Sequence, residues 1–240
     1  MTDNEGWNSE KLVQHYQRTA DITMPGRREI LAKVAELVAA FTSQQPRILD
    51  LGCGSGDVSA EIIRLKPDSS VCMVDFSKEM IKLVQDRFQE NSNIEIIQWD
   101  LNKGVPKNLL SQKFDIVTSC FAIHHVEFEN RISLYTQIRK VLHDSGIFIN
   151  GDLFTGESPA VTEWESNNLI EWIRIQAKDR LGLERTFNQV KQKHIELWDA
   201  QGDKPGTVWE MYQDLNDAGF QFVDCIWMNY NLGIIVASIT

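Results

Sequence analysis

The chain has 240 residues, of which 42% are hydrophobic and 24% charged, and its formal net charge at pH 7 is −10. This composition is typical of one globular domain and excludes a disordered chain. Proteins that bind nucleic acid display basic patches that neutralise phosphates, and the pair Arg27-Arg28 is too short for that purpose. No apolar run approaches the roughly 20 residues that cross a bilayer, and the polar N-terminus lacks the features of a signal peptide. We therefore expect a cytoplasmic monomer or homodimer that acts on a small molecule, without a nucleic-acid or membrane partner.

The first 45 residues predict helices, because apolar residues between positions 30 and 41 recur at helical spacing after Pro25-Gly26. Strand and helix patterns then alternate as far as residue 153, which implies a parallel sheet with helices on both faces. The predicted strands are 47–51, 71–76, 94–99, 114–120 and 147–153, and the predicted helices are 57–66, 77–90 and 129–143.

The alternation stops after Phe154. Residues 158–200 read as helical, and a further helix over 208–218 ends at Gly219. Two closing strands, 220–227 and 232–239, are predicted to form an antiparallel hairpin through residues 228–231. We expect a single doubly wound α/β domain over 1–240. Residues 1–45 would form a helical cap, and a helical insertion over 155–205 would cover the acceptor site.

Three glycines, Gly52, Gly54 and Gly56, alternate between the first strand and the helix that starts at Asp57. Glycines let the backbone turn sharply and approach a ligand closely, and a helix N-terminus offers free N–H groups. A plain strand-to-helix turn would also tolerate them. The spacing GxGxG differs from the GxGxxG of nicotinamide dehydrogenases, and a carboxylate at Asp57 would repel a pyrophosphate.

Acidic residues lie at the ends of three predicted strands, namely Asp50, Asp75 and Asp100. Ligands of open α/β sheets bind beyond the carboxyl ends of the strands. A carboxylate after the second strand can accept hydrogen bonds from ribose hydroxyls, and one after the third can meet the amine of adenine. Together with the glycines, these positions predict an adenine nucleoside ligand without a pyrophosphate.

Several segments resemble the class I S-adenosylmethionine-dependent methyltransferase superfamily: LDLGCGSG, VDFSKEMI, QWD and FDIVTSCFAIHHV. The resemblance implies a Rossmann-like, mostly parallel seven-stranded sheet whose last strand is antiparallel, and S-adenosyl-L-methionine as cofactor. The implied cofactor-binding residues are Tyr16, Arg27, Asp50, Gly52, Cys53, Gly54, Gly56, Asp75, Phe76, Met80, Asp100, Leu101 and Cys120.

The resemblance also implies a role for most of these residues. The glycines would contact the amino-acid part of the cofactor, and Asp50 would bind its amino group. Asp75 would bind the ribose, and Asp100 with Leu101 the adenine. The remaining assignments pack Phe76 and Met80 on the adenine, place the Cys120 backbone beside the methionine part, and fold Tyr16 and Arg27 over the cofactor.

His124 and His125 are the candidate catalytic residues, because they follow the fourth strand at the same edge of the sheet. A neutral imidazole there could take a proton from an acceptor hydroxyl or amine; alternatively the pair orients the loop. Adjacent histidines usually point apart, so we expect no metal site. The other histidines, His15, His143 and His194, are expected at the surface.

One branch of the superfamily offers an alternative. The PG-containing N-terminal segment, the helical insertion and the ending AGF…YNLGIIVA resemble carboxy-S-adenosylmethionine synthases of tRNA modification. Those enzymes bind the extra carboxylate with an arginine on the helix before AGF, and the matching residue here is Asp214, which would repel it. The predicted function is therefore methyl transfer to an O, N or C atom of a small molecule. A synthase-like enzyme and a non-catalytic cofactor-binding module are the alternatives.

Overall fold

A computed structural model describes residues 6–240, and the protein forms a seven-stranded sheet of order β3-β2-β1-β4-β5-β7-β6. β1 to β5 pair in parallel, whereas β7 runs antiparallel to both β5 and β6. The strands are β1 Arg47–Leu51, β2 Ser70–Asp75, β3 Ile94–Gln98, β4 Phe114–Cys120, β5 Leu142–Leu153, β6 Phe222–Asn229 and β7 Leu232–Ser238.

Helices cover both faces of this sheet, and each layer has its own buried core. Side chains of α2, α3 and α4 pack on one face, and those of α5 and α8 on the other. The helices are α1 Glu10–Thr23, α2 Arg27–Phe41, α3 Asp57–Leu65, α4 Lys78–Arg87, α5 Phe128–Val141, α6 Pro159–Leu181, α7 Phe187–Gln201 and α8 Val208–Asp217. This architecture confirms the doubly wound α/β fold and the antiparallel last strand. Over residues 6–240, none of the helices has the length and apolar character to cross a membrane.

The N-terminal 45 residues divide between two roles. α2 belongs to a helix layer, because Ile30, Val34 and Val38 are fully buried against the sheet. The segment before it, including α1, lies at the carboxyl edge of the strands, together with Arg27 and Leu31 at the start of α2. The cap over residues 1–45 stays a prediction, and residues 1–5 lie outside the described part of the chain.

Two of the predicted turns differ from the sequence-based expectation. α5 ends at Val141 and β5 starts at Leu142, because Leu142 pairs with Phe114 and the expected turn at residues 144–146 lies in an irregularity of the strand. β6 extends to Asn229, which pairs with Leu232, so the hairpin turn is two residues rather than four.

Candidate active site

A cavity of about 380 Å³ opens at the carboxyl ends of the parallel strands. It lies where the strand order reverses between β1 and β4, the position at which open α/β sheets bind ligands. The loop after β1, the end of β2, the turn after β4, α1 and α7 all contribute to its walls. The sequence-predicted residues that line it are Tyr16, Arg27, Gly52, Cys53, Gly54, Asp75, Phe76, Met80, Asp100, Leu101, Cys120, His124 and His125.

The glycine loop is held against the end of β2 by hydrogen bonds. The Gly54 N–H donates to Asp75 Oδ2 at 2.8 Å, and the Ser77 N–H donates to Asp75 Oδ1 at 2.8 Å. Gly54 has a φ of +53°, and a Cβ added there would meet nothing within 4 Å. The loop therefore leaves open space above its backbone, as a closely bound ligand requires.

Two predicted cofactor-binding residues, Asp50 and Gly56, do not reach this cavity. Asp50 lies beneath the loop, where its carboxylate accepts hydrogen bonds from Ser59 Oγ at 2.5 Å and Thr118 Oγ1 at 3.4 Å. Gly56 starts α3, and a Cβ there would lie 2.6 Å from the Phe88 ring. Both residues support the loop from below, and direct contact of either with the cofactor stays a prediction.

Burial raises the pKa of Asp50 to about 7, against an ordinary value of 3.8. Between these two pKa values the folded protein keeps the Asp50 proton, whereas the unfolded chain releases it. The free energy of unfolding is therefore highest below about pH 4 and falls as the pH rises to 7. We expect Asp50→Asn to gain stability relative to the wild type between pH 4 and 8, by at most about 4 kcal/mol at roughly 1.4 kcal/mol per pKa unit. Urea unfolding of both proteins at several pH values measures this. The exposed Asp217→Asn is the control, and parallel profiles for wild type and Asp50→Asn would contradict the assignment.

An ion-pair network closes the glycine loop toward α2. Arg27 Nη2 lies 2.5 Å from Asp57 Oδ2, and Arg87 Nη1 lies 2.6 Å from Asp57 Oδ1. Two arginines thus compensate the Asp57 charge, so the argument that this carboxylate would repel a pyrophosphate is wrong. Arg27 Nε is buried without a hydrogen-bond partner, and its guanidinium carbon lies 5.7 Å from the centre of the Tyr16 ring. An anionic group entering here would find a cation beside it.

The residues present fit S-adenosyl-L-methionine. The cavity offers a carboxylate at Asp75, an apolar wall at Phe76 and Met80, and a polar strand end at Asp100. Asp100 accepts a hydrogen bond from the Asn102 N–H at 2.9 Å, which positions Leu101 at the wall. A zwitterionic amino-acid group suits the loop end, where an unpartnered Arg27 nitrogen lies near Asp57.

The opposite end of the cavity holds both candidate catalytic histidines. Their ring centroids are 4.0 Å apart, so the expectation that adjacent histidines point apart is wrong here. The short 3-10 turn Ile123–His125 presents both rings to Asp203, from the segment after α7. Asp203 Oδ1 lies 3.5 Å from His124 Nε2 and 3.3 Å from His125 Nδ1.

His124 is anchored from behind by Asp152 at the end of β5. His124 Nδ1 lies 2.5 Å from Asp152 Oδ1. Burial alone would lower the pKa of His124, but Asp152 and Asp203 outweigh it and raise that pKa. Burial and the neighbouring His124 instead lower the pKa of His125 to about 3. His125 is therefore neutral at physiological pH.

Several lining residues at this end were not predicted as site residues, among them Trp7, His15, His194 and Asp203. His15, Thr19 and Thr23 line the cavity at a spacing of four, and this polar helical stripe was the signal that could have identified His15. His194 lies within α7 and lines the same cavity, so both histidines are half-buried and not at the surface as expected. Trp7 lies edge-on to Tyr16 and to His125, with centroid distances of 5.0 and 5.7 Å.

The tryptophans of the helical insertion and the one in α8 are mostly remote from the site. Trp198 lines the cavity, whereas Trp172 packs between α6 and α7. Trp164 and Trp209 are each 56% exposed. The insertion thus contributes one face of α7 and Leu169 of α6 to the cavity, and most of its tryptophans serve packing or lie at the surface.

The fold and this cavity define a Rossmann-like α/β protein with an adenine-nucleoside site at its switch point. Residues 48–146 match the family model described as a methyltransferase domain. This match and the similar proteins below support a class I S-adenosyl-L-methionine-dependent methyltransferase, with S-adenosyl-L-methionine as its cofactor.

Relatives of known name agree with this family. The carboxy-S-adenosyl-L-methionine synthase of Aeromonas hydrophila is 23% identical over 95% of this chain and 88% of that enzyme. The malonyl-[acyl-carrier protein] O-methyltransferase of Halalkalibacterium halodurans is 22% identical, but over only 47% of this chain and 44% of that enzyme. Human N-acetylserotonin methyltransferase in complex with its cofactor shares the fold, with a TM-score of 0.62 at 17% identity over 97% of this chain and 57% of that one.

Proposed function

We propose that the protein transfers a methyl group from S-adenosyl-L-methionine to an oxygen, nitrogen or carbon atom of a small molecule bound at the histidine end of the cavity. The observation that carries this proposal is the continuity of one cavity from the glycine loop to His124 and His125. Trp7, Tyr16 and Trp198 close this end with aromatic surface, which suits a small acceptor.

The cofactor supplies a methyl group on a good leaving group, so the protein needs no nucleophile. Its residues would hold the acceptor in line with the methyl group and exclude water, and orientation of this kind lowers a barrier by roughly 7–11 kcal/mol. Asp75 holds the loop on the cofactor side, and α1 and α7 wall the acceptor side. Charge compensation between Asp152 and His124 keeps the turn after β4 in place.

His125 is the candidate group for activating the acceptor, because it is neutral and lines the cavity. We expect His125→Ala to slow methyl transfer by about 10²–10⁴-fold, the range that a positioned acid–base group supplies. The affinity for S-adenosylhomocysteine, the demethylated product, should stay within about twofold of the wild type. Calorimetry gives the affinity, and transfer of labelled methyl groups into a metabolite pool gives the rate.

His143→Ala is the matched control, since His143 is an exposed histidine of β5 outside the cavity. An unchanged transfer rate in His125→Ala would assign that residue a structural role. Binding of S-adenosylhomocysteine without transfer to any pool would favour the non-catalytic module. Absence of binding would contradict the proposed function itself.

A carboxy-S-adenosyl-L-methionine synthase activity is the second candidate, favoured by similarity to such an enzyme along nearly the whole chain. The position that the resemblance pairs with its carboxylate-binding arginine is Asp214. Asp214 lines a separate small pocket with Arg131 and Glu210, not the main cavity. Native mass spectrometry of the purified protein decides between the two: release of the carboxylated cofactor supports the synthase, and release of S-adenosyl-L-methionine or its demethylated product supports methyl transfer.

A further inference from the structure

Four of the five histidines of this chain line one cavity, and two of them meet a carboxylate there. His124 Nε2, His125 Nδ1 and an oxygen of Asp203 all lie within 4.8 Å of one another. Three converging nitrogen and oxygen donors at one end of a ligand cavity are the set that divalent transition metals use in proteins.

Two of these donors are buried without any hydrogen-bond partner, namely His125 Nδ1 and Asp203 Oδ1. The Asp203 side chain is only 5% exposed. A buried polar atom without a partner is destabilising, so such atoms aimed at one point require an explanation. A bound cation between them would satisfy both.

The distances suit coordination. Zinc lies about 2.0–2.2 Å from nitrogen and oxygen ligands, which places neighbouring ligands roughly 3.0–3.5 Å apart. Asp203 Oδ1 lies 3.3 Å from His125 Nδ1 and 3.5 Å from His124 Nε2. The donors are therefore spaced as ligands around one ion.

The surroundings also supply the support that metal sites use. The Asp152 contact to His124 Nδ1 leaves Nε2 facing Asp203, and metal-binding histidines are commonly oriented by such a carboxylate. Asp152 and Asp203 place two carboxylates in a buried region, and over residues 6–240 neither forms an ion pair with a lysine or arginine. Lys204, which follows Asp203 in the sequence, pairs with Glu127 instead. With His124 neutral as a metal ligand, a divalent cation would replace its positive charge and offset both carboxylates.

We propose that His124, His125 and Asp203 bind a divalent transition-metal ion of the zinc or iron class, with its remaining coordination positions facing the cavity. With the ion bound at Nδ1, His125 would act on the acceptor through the ion rather than as a base. Magnesium would bind poorly, because it takes oxygen ligands. The ion would bind an acceptor through a hydroxyl, carbonyl or carboxylate oxygen near the atom to be methylated. That acceptor role rests on the proposed function, whereas the binding of the ion does not.

The test uses the full-length, untagged protein after chelator treatment and dialysis. Zn²⁺, Co²⁺ and Mg²⁺ are added separately, unbound metal is removed by gel filtration, and metal content is measured by mass spectrometry. We expect about one Zn²⁺ or Co²⁺ per chain, a visible absorption band from Co²⁺ on nitrogen ligands, and no retained Mg²⁺. Asp203→Asn and His125→Gln should each weaken Zn²⁺ binding by at least tenfold, whereas His143→Ala should bind as the wild type does.

The site would be overturned if the wild type retained neither Zn²⁺ nor Co²⁺. It would also be overturned if Asp203→Asn and His125→Gln bound Zn²⁺ with the affinity of the wild type. S-adenosylhomocysteine affinity and the thermal unfolding of each variant are measured on the same samples. If one of the two variants unfolds, the test uses the other, and its Co²⁺ absorption band is compared with that of the wild type. Metal binding without S-adenosylhomocysteine binding would reject the proposed function and keep the metal site. S-adenosylhomocysteine binding without metal binding would reject the metal site and keep the proposed function.

Discussion

Asp75→Ala is expected to weaken binding of S-adenosylhomocysteine by about 100-fold or more. The Asp75 carboxylate accepts hydrogen bonds from the backbone of Gly54 and of Ser77, so its loss releases the glycine loop and the start of α4 together. Hydrogen bonds to a charged group contribute about 1.5–3 kcal/mol each, and each 1.4 kcal/mol is tenfold in affinity. Calorimetric titration measures the change.

The free energy of unfolding should fall by less than the free energy of binding. Burial raises the pKa of Asp75, which means that the charged carboxylate is poorly solvated in the folded protein. Removing it relieves that unfavourable burial and offsets part of the lost hydrogen bonding. Asp75→Asn is the graded variant, since an amide keeps an acceptor for one of the two N–H groups. Wild-type affinity in a folded Asp75→Ala protein would reject this carboxylate as the organiser of the site.

The parallel core was predictable because its signals are local. A short apolar strand, a glycine loop and an amphipathic helix such as Asp57–Leu65 follow one another in the sequence, and each buries its apolar face against the sheet. Asp75 and Asp100 could be placed at one edge because parallel strands share a direction. That reasoning gives the edge but not the depth, so it could not separate Asp75, in the cavity wall, from Asp50, beneath the loop.

The histidine end could not be predicted for a different reason. Asp203 lies 78 positions after His125 in sequence and contacts it only because α7 returns across the carboxyl edge of the sheet. Trp7 reaches the same space from the other end of the chain, where its carbonyl oxygen accepts a hydrogen bond from Ser77 Oγ. No periodicity or spacing encodes such contacts, since they depend on how two covering segments pack.

Gly54→Ala is expected to weaken cofactor binding by roughly 10–100-fold while the protein stays folded. The φ of +53° strains any residue with a Cβ, which costs about 1–2 kcal/mol of stability. The added methyl group itself meets no protein atom within 4 Å, and because Gly54 lines the cavity it would occupy space that the ligand needs. Affinity for S-adenosylhomocysteine and the free energy of unfolding are measured on the same preparation.

Gly182→Ala is the matched control for this change. Gly182 ends α6 with a φ of +66°, and a Cβ there also meets nothing within 4 Å, but the residue lies outside the cavity. Backbone strain should therefore lower the stability of both variants by a similar amount, and only Gly54→Ala should lose affinity. Wild-type affinity in both variants would show that the ligand does not approach the loop at Gly54. Equal losses would show that strain, transmitted through the fold, and not the occupied space, controls binding.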